Sequence, residues 1–250
     1  MDGLVTTEVG AAEEPKSRPF VSTGPPSWIG QTLIVAKKDL TIELATGEIV
    51  TTAGFFALLV IVLTSLAFYL GPTLNRDVAP GVLWISVAFA SVLALSRTWQ
   101  REREDSALLG LLVMPVARSA IFAGKALGVM VFVTAVECIV VPATALLFGL
   151  DLGEVGIGVV LFALAATPGI AASGTLFGAM TVRTRARELV LATVLFPMLA
   201  PTLLAAAAGT RDLLHGHPLS ELGDYFMLIG VFGLVFTAGG LGLFESLIDG

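Results

Sequence analysis

The sequence predicts an all-α membrane protein with six transmembrane helices, cytosolic termini and an amphipathic helix ahead of the first span. The first observation behind this prediction is composition: of 250 residues, 56% are apolar and 14% charged, whereas soluble domains have roughly 45–50% apolar and about 25% charged residues. The second is that the apolar residues lie in long blocks. The third is the sorting of lysines and arginines by region. Lipid is therefore the expected solvent for most of the chain.

Residues 1–27 are predicted to form a disordered cytosolic tail, because they carry four acids and four prolines and lack the basic start and apolar core of a signal peptide. Residues 28–50 follow as an amphipathic interfacial helix. Ser27 is its candidate N-cap, and Ile29, Leu33, Leu40 and Leu44 share one helical face. The alternative for 28–50 is a cytosolic helix packed on a partner protein.

Residues 51–250 are predicted to form one six-span domain, since about 20 apolar residues cross the hydrocarbon core. The six apolar blocks cover residues 53–70, 78–96, 116–148, 155–182, 189–209 and 225–247. The third block is longer than a span requires and carries Arg118 and Lys125 early. Its hydrocarbon part is therefore expected near 127–146, with the first turns at or outside the interface.

The basic residues set the orientation, because cytosolic loops are enriched in lysine and arginine. Twelve of the 14 fall on the side that also holds both termini, and the opposite loops hold only Arg76 and Arg211. The sequence thus predicts a bacterial inner-membrane protein with both ends in the cytosol.

Several kinds of chemistry are not expected within this chain. The single Gly124-Lys125 pair lacks the first glycine of a phosphate-binding loop and is followed by alanine, so ATP hydrolysis is not expected here. Cys138 is the only cysteine, which excludes an internal disulfide and a multi-cysteine metal site. We expect no enzyme activity, no bound metal and no nucleic-acid partner.

The stretch 97–119, called the coupling segment below, is predicted to be a cytosolic loop that docks on a partner. It holds three acids that topology does not require, and residues 107–114 are too apolar for a free loop yet too short to span. The alternative is a loop whose charges serve topology alone. The candidate contact residues are Arg97, Arg101, Glu102, Glu104, Asp105, Leu108, Leu111, Leu112, Pro115 and Arg118.

The chain resembles the haem exporter protein B (CcmB) family, the ABC-2 type permease of the cytochrome c maturation transporter. The resemblance lies in the order and spacing of several short stretches over the six spans. These are Lys38-Asp39-Leu40, Gly71-Pro72, Ala79-Pro80-Gly81 with Trp84, the loop from Arg97 to Pro115, Thr167-Pro168-Gly169, and Leu195 to Pro201.

This resemblance implies a permease that pairs with a separate ATPase, which binds the ATP, and that works with other cytochrome c maturation membrane subunits. It also implies indirect service to a periplasmic haem chaperone, two copies per complex, and haem as the candidate cargo. The family's loop reads roughly Asp-Gly-Ser-Leu-Glu, whereas this chain has Asp105-Ser-Ala-Leu-Leu109. Glu102 and Glu104 are the acids that could replace the missing one.

Three further features are candidates for function. Glu137 lies deep in the third span, where it is either a polar point on a substrate path or subunit contact, or an acid bonded to Thr134 or Thr144. Thr167-Pro168-Gly169, with Pro197 and Pro201, is either a set of packing kinks or a hinge. His215 and His217 are expected to be loop residues without a haem ligand role.

Two other functions remain open from the sequence. The chain could transmit force that releases a loaded chaperone without conducting haem itself, or it could be a generic ABC-2 exporter of a lipid or drug. Neighbouring genes that lack the other maturation components would favour the generic exporter.

Overall fold

A computed structural model describes residues 26–68, 72–104, 110, 115–181 and 187–249, and within these ranges it contains helices and no strand. The all-α prediction is confirmed. Seven α-helices have bounds within the described residues: α1 (Trp28–Thr46), α2 (Glu48–Ala67), α3 (Pro72–Glu104), α4 (Arg118–Phe148), α5 (Leu152–Thr181), α6 (Arg187–Leu214) and α7 (Gly223–Asp249), and a 3-10 turn covers Leu219–Glu221.

Helices α2 to α7 contain the six stretches that are long and apolar enough to cross a membrane, which confirms the number of predicted spans. Most of their buried apolar residues form a core around Trp84, Phe132 and Phe162, and a second cluster lies around Trp99, Phe122 and Phe244. Trp84 donates its indole N–H to Thr210 Oγ1 at 3.0 Å, which satisfies a polar group inside that core. The outward faces of α2 and α7 are largely apolar and exposed, as lipid-facing helices are.

Helix α1 begins where the sequence predicts, with the hydroxyl of Ser27 accepting from the backbone N–H of Gly30 at 3.3 Å. It ends earlier than expected: Gly47, with φ of 62°, terminates α1, and Glu48 already begins α2. A left-handed residue at this position is a common helix stop. The amphipathic helix is thus 28–46 rather than 28–50.

The face of α1 that packs on the protein is only partly apolar. Val35 and Ala36 are buried beside Asp39 and Glu43, whereas most of the predicted apolar face is exposed and only Leu40 packs partly on the core. Ile29, Leu33 and Leu44 are 64%, 56% and 88% exposed. An outward apolar face with a lysine beside it is typical of a helix that lies in the membrane interface.

The coupling segment differs from the predicted loop at both ends. Residues 97–104 continue α3 as helix, and Arg118 and Ser119 are already the first residues of α4. The physical reason is that Arg97, Arg101 and Glu102 have ion partners on neighbouring helices, which stabilise the extended α3. The part of the coupling segment between α3 and α4 is therefore 105–117. Of these residues, 105–109 and 111–114 lie outside the described part of the chain.

Candidate functional site

Four charged side chains form a closed ring, called the four-charge ring below, where α1, α3 and α4 meet. Lys125 Nζ lies 2.7 Å from Asp39 Oδ2 and also binds Glu102 Oε1. Lys38 Nζ lies 2.7 Å from Glu102 Oε1 and 3.3 Å from Asp39 Oδ1. Each cation contacts both anions, so the ring carries no net charge.

The backbone brings these charges together because α4 approaches α1 very closely. Gly124 faces α1, and a Cβ at this position would lie 2.7 Å from the carbonyl oxygen of Thr32. A larger residue would push the two helices apart. The glycine therefore places the next residue, Lys125, against Asp39, with Lys125 only 1% exposed. The sequence predicts these first turns of α4 at the interface, and α1 covers them there.

Burying charges is costly unless they are paired and hydrogen-bonded, and the ring meets both conditions. Lys38 lies outside the spans, and its pKa shows how the cost of burial compares with the gain from pairing. Burial by itself would lower the pKa of its ammonium group. The hydrogen bond to Glu102 and the negative charges of Asp39 and Glu102 outweigh burial and raise the pKa above the usual lysine range. Lys38 is therefore fully charged at neutral pH.

A second group of ion pairs adjoins the ring and joins α3 to the α1–α2 corner. Arg101 lies 3.5 Å from Glu43 Oε2 and 3.2 Å from Glu48 Oε2, and Arg97 lies 3.5 Å from Glu48 Oε1. Glu43 Oε1 also accepts from the backbone N–H of Val50 at 2.9 Å. Arg97 and Arg101, two basic residues of the predicted docking loop, thus bind acids of their own chain.

Helix α1 also contacts the other end of the coupling segment. Gln31 Oε1 accepts from the backbone N–H of Ala117 at 2.9 Å. Trp28 donates its indole N–H to Ser119 Oγ at 3.0 Å. One short helix thus binds the residues that precede α4 and, through Lys38, the last turn of α3.

The remaining predicted contact residues are only partly placed. Pro115 is exposed and Arg118 is partly buried at the start of α4. Glu104 is the last residue of α3, and only its backbone belongs to the described part of the structure. Asp105, Leu108, Leu111 and Leu112 lie outside the described residues.

Sequence reasoning missed the partners of Arg101 and Glu102. These partners are Lys38, Glu43, Glu48 and Lys125. A signal was present: Asp39 and Glu43 are four residues apart, and so are Arg97 and Arg101, which places each pair on one helix face. Two acids on the inner face of an amphipathic helix and two bases at the end of a span are complementary.

Glu137 is buried on α4 and binds a residue that the sequence did not pair with it. Thr167 Oγ1 on α5 lies 2.9 Å from each carboxyl oxygen of Glu137 and 2.8 Å from the carbonyl oxygen of Ala163. The expected partners Thr134 and Thr144 do not form these bonds in the structure. The threonine before Pro168 therefore joins the candidate hinge to the candidate intramembrane site.

A cavity of about 350 Å³ opens beside Glu137 between α4 and α5. Thr134, Cys138 and Pro142 line it on α4, and Val160 lines it on α5. Its walls are almost wholly apolar, and Glu137 is the one carboxylic acid among its lining residues. This arrangement gives little of the polar path that a conducting pore would need.

The candidate hinge residues lie within continuous helices. Pro168 is inside α5, and Pro197 and Pro201 are inside α6. Gly169 packs on Gly233 of α7, where an added Cβ would lie 3.2 Å from the Cα of Gly233. The helices thus meet at backbone distance directly after the proline, as small residues permit inside membranes.

His215 and His217 lie together at the end of α6, on the opposite side of the bundle from the four-charge ring. His215 Nε2 lies 2.8 Å from Asp77 Oδ1, and its Nδ1 lies 2.8 Å from the carbonyl oxygen of Arg211. Both ring nitrogens are therefore engaged within the chain. Within the described residues, no three His, Cys, Asp or Glu side chains cluster in a way that could hold a metal ion.

The fold and the site define a class: a polytopic α-helical membrane protein whose first, amphipathic helix binds by ion pairs to the ends of two spans. The model of the CcmB protein family matches residues 31–238. The chain belongs to this family, as the resemblance in the sequence indicated, and is a multi-pass protein of the bacterial inner membrane.

Relatives named heme exporter protein B cover most of the chain. The Bradyrhizobium diazoefficiens protein is 28% identical over 201 residues, which are 80% of this chain and 88% of the relative. The Paracoccus denitrificans protein is 31% identical over 158 residues, 62% and 72% of the two chains. The Pseudomonas aeruginosa protein is 25% identical over 205 residues, 82% and 90% of the two chains.

Proposed function

We propose that the chain is the permease subunit of an ABC transporter complex that acts in haem delivery for cytochrome c maturation. Its role is to couple a separate ATPase to the membrane subunits through the coupling segment. The names of the relatives support the haem assignment. The single structural observation that carries the coupling role is the attachment of both described ends of the coupling segment to α1, through Lys38–Glu102 and Gln31–Ala117.

Force applied to the coupling segment has a direct route into the bundle. Helix α3 runs without a break from Glu104 to the core around Trp84, and α4 runs from Arg118 past Glu137. ATP binding closes the partner ATPase. The closure pushes on the coupling segment, and the push tilts α3 and α4 as rigid bodies. The apolar stretch 107–114 supplies the surface that buries against the ATPase.

The cargo path separates two versions of this function. A conducting subunit needs polar or aromatic groups along its spans, and the apolar cavity beside Glu137 offers one carboxyl group that already binds Thr167. This observation favours a subunit that transmits force over one that conducts haem. ATP binds to the partner, and haem is cargo of the complex rather than a resident cofactor of this chain.

The partners follow from the same proposal. They are an ABC ATPase, other cytochrome c maturation membrane subunits, a second copy of this chain and, indirectly, a periplasmic haem chaperone. The exposed apolar faces of α2 and α7 are available for contacts with the membrane-embedded partners. The remaining alternative, a generic exporter of a lipid or drug, is favoured only if the neighbouring genes lack the other maturation components.

Purification of a tagged copy from native membranes tests the proposal. We expect an ABC ATPase and the maturation subunits to copurify, and a preparation without an ATPase would overturn the coupling role. Reporter fusions at residue 110 and at the C-terminus should both report the cytosol. A periplasmic signal at residue 110 would place the segment out of reach of any ATPase.

A further inference from the structure

Helix α1 contacts α3 through long charged side chains and contacts α4 through close packing. Lys38 reaches Glu102 in the last turn of α3, and Glu43 reaches Arg101 one residue earlier. By contrast, Gly124 of α4 lies directly against Thr32 and Val35. The α1–α4 contact therefore combines close packing with the Lys125–Asp39 ion pair, whereas the α1–α3 contacts named here are between charged side chains.

The position of these contacts matters because the two helices are the entry and exit of the coupling segment. Glu102 lies two residues before the end of α3, and Lys125 lies in the second turn of α4. Lys125 and Lys38 both bind Glu102 Oε1. A single carboxylate oxygen thus joins the end of α3 to both α4 and α1.

We propose that Lys38 and Glu102 are positioning residues that hold α1, the end of α3 and the start of α4 together as one unit. Through this unit, a push on the coupling segment reaches α1 as well as the two spans. The inference rests on the proposed function. It adds that α1, rather than serving only as a membrane anchor, transmits the motion.

The geometry explains why one bond matters to the whole unit. Lys38 is partly exposed, with 32% of its side chain accessible, whereas Glu102 and Lys125 are buried. Removing Lys38 leaves Lys125 between Asp39 and Glu102, so the ring gains one net negative charge while both carboxylates keep a buried partner. What is lost is the direct Lys38–Glu102 contact between α1 and the end of α3, and Glu43–Arg101 remains beside it.

The chain offers a closely matched control for this change. Lys37 precedes Lys38 and has the same chemistry, but it is exposed and takes no part in the ion pairs of the four-charge ring. Lys38→Met and Lys37→Met therefore remove the same charge from the same helix, and only the former breaks the contact with Glu102. Lys38→Arg keeps the charge and serves as the rescue variant.

The first measurement is amide hydrogen exchange of the full chain in lipid nanodiscs. We expect Lys38→Met to speed exchange in α1 by about tenfold relative to Lys37→Met, with α4 to α7 unchanged, because local opening depends on local contacts. Lys38→Arg should restore most of the protection. Equal exchange in the two methionine variants would overturn the inference without bearing on the proposed function.

The second measurement uses the purified complex and separates coupling from assembly. We expect Lys38→Met to keep its ATPase and to hydrolyse ATP at the wild-type rate, while cytochrome c maturation falls by about tenfold. Full maturation despite mobile α1 would overturn the positioning role. A wild-type complex that contains no ATPase would instead overturn the proposed function, and the exchange data would then decide the structural claim alone.

Discussion

Lys125 Nζ lies 2.7 Å from Asp39 Oδ2, although 86 residues separate them along the chain. The contact pairs the first turns of a transmembrane helix with the inner face of the amphipathic helix. It also explains a basic residue that would otherwise be costly so far into an apolar block. Pairing within the chain, rather than hydration, satisfies the buried amino group of Lys125.

The first prediction concerns the loss of this cation. Lys125→Met leaves Asp39 without its buried partner, and breaking a buried ion pair costs about 3–5 kcal/mol. We expect a clearly lower unfolding temperature of the purified chain in detergent. Lys37→Met should leave that temperature unchanged, and an unfolding temperature of Lys125→Met equal to the wild type would show that the ring is not stabilising.

A double variant isolates the interaction from the general effect of mutation. Lys125→Met combined with Asp39→Asn removes the charge on both sides, and Glu102 keeps Lys38. We expect the double variant to lose less stability than the two single losses added together, because residues in contact are not independent. Additive losses would contradict a direct pair.

The second prediction concerns Glu137. The hydroxyl of Thr167 has one proton and three oxygen neighbours, so it cannot donate to all of them at once. Glu137→Gln supplies amide donors to the same oxygen, and we expect normal expression. Glu137→Leu leaves the hydroxyl donating to the carbonyl oxygen of Ala163, so no donor is unpaired, and we expect a loss of at most about 1.5 kcal/mol from the missing hydrogen bond.

Cytochrome c assembly at matched expression then separates the two interpretations of Glu137. Unchanged assembly in Glu137→Gln would discard a role for its charge on a substrate path. Loss of assembly in this variant, with stability intact, would support that role and weaken the force-transmission version of the function.

The third prediction concerns the meeting of α5 and α7. Gly169→Ala places a Cβ 3.2 Å from the Cα of Gly233, which is tighter than ordinary packing allows. We expect overpacking to cost about 1–3 kcal/mol. Gly239→Ala is the matched control on α7, since no neighbouring atom lies within 4 Å of its added Cβ. Equal unfolding temperatures of the two variants would show that the close contact between α5 and α7 does not limit stability.

The fourth prediction is a pH dependence of α1. The pKa of Lys38 is raised in the folded chain, so its stabilising contribution is complete at neutral pH and is lost as the pH rises through the folded value. A nitroxide at exposed Thr41, in a Cys138→Ser background, should therefore gain mobility only in strongly alkaline solution. In Lys38→Met the label should be mobile throughout, and a wild-type label that loosens near neutral pH would exclude lysine titration as the cause.

The number of spans could be predicted from the sequence because the requirement is local. Each apolar block is long enough to cross the hydrocarbon core by itself, and its length and composition do not depend on its neighbours. The start of α1 followed from Ser27 for the same reason, since a cap acts on the next turn. The end of α1 is not predicted by the sequence, because a glycine can continue a helix or end one, and the left-handed φ of 62° at Gly47 is a property of the folded chain.

The coupling segment shows the opposite case. The sequence predicts that its charges are exposed, since clustered charges between two apolar blocks are usually solvated. Arg97, Arg101 and Glu102 instead continue α3, because acids and bases from distant parts of the chain neutralise them. Nothing within the stretch itself could indicate those partners.

What the sequence determined alone was the class of protein: six apolar spans, an amphipathic helix before them, and a family pattern spread over most of the chain. Which charges meet was decided only by the tertiary structure. Hydrophobic length acts along the chain and can be counted in a sequence, whereas an ion pair depends on a distance of a few ångströms between helices. Packing at Gly124 sets that distance for Lys125 and Asp39, and with it the unit from which the coupling segment emerges.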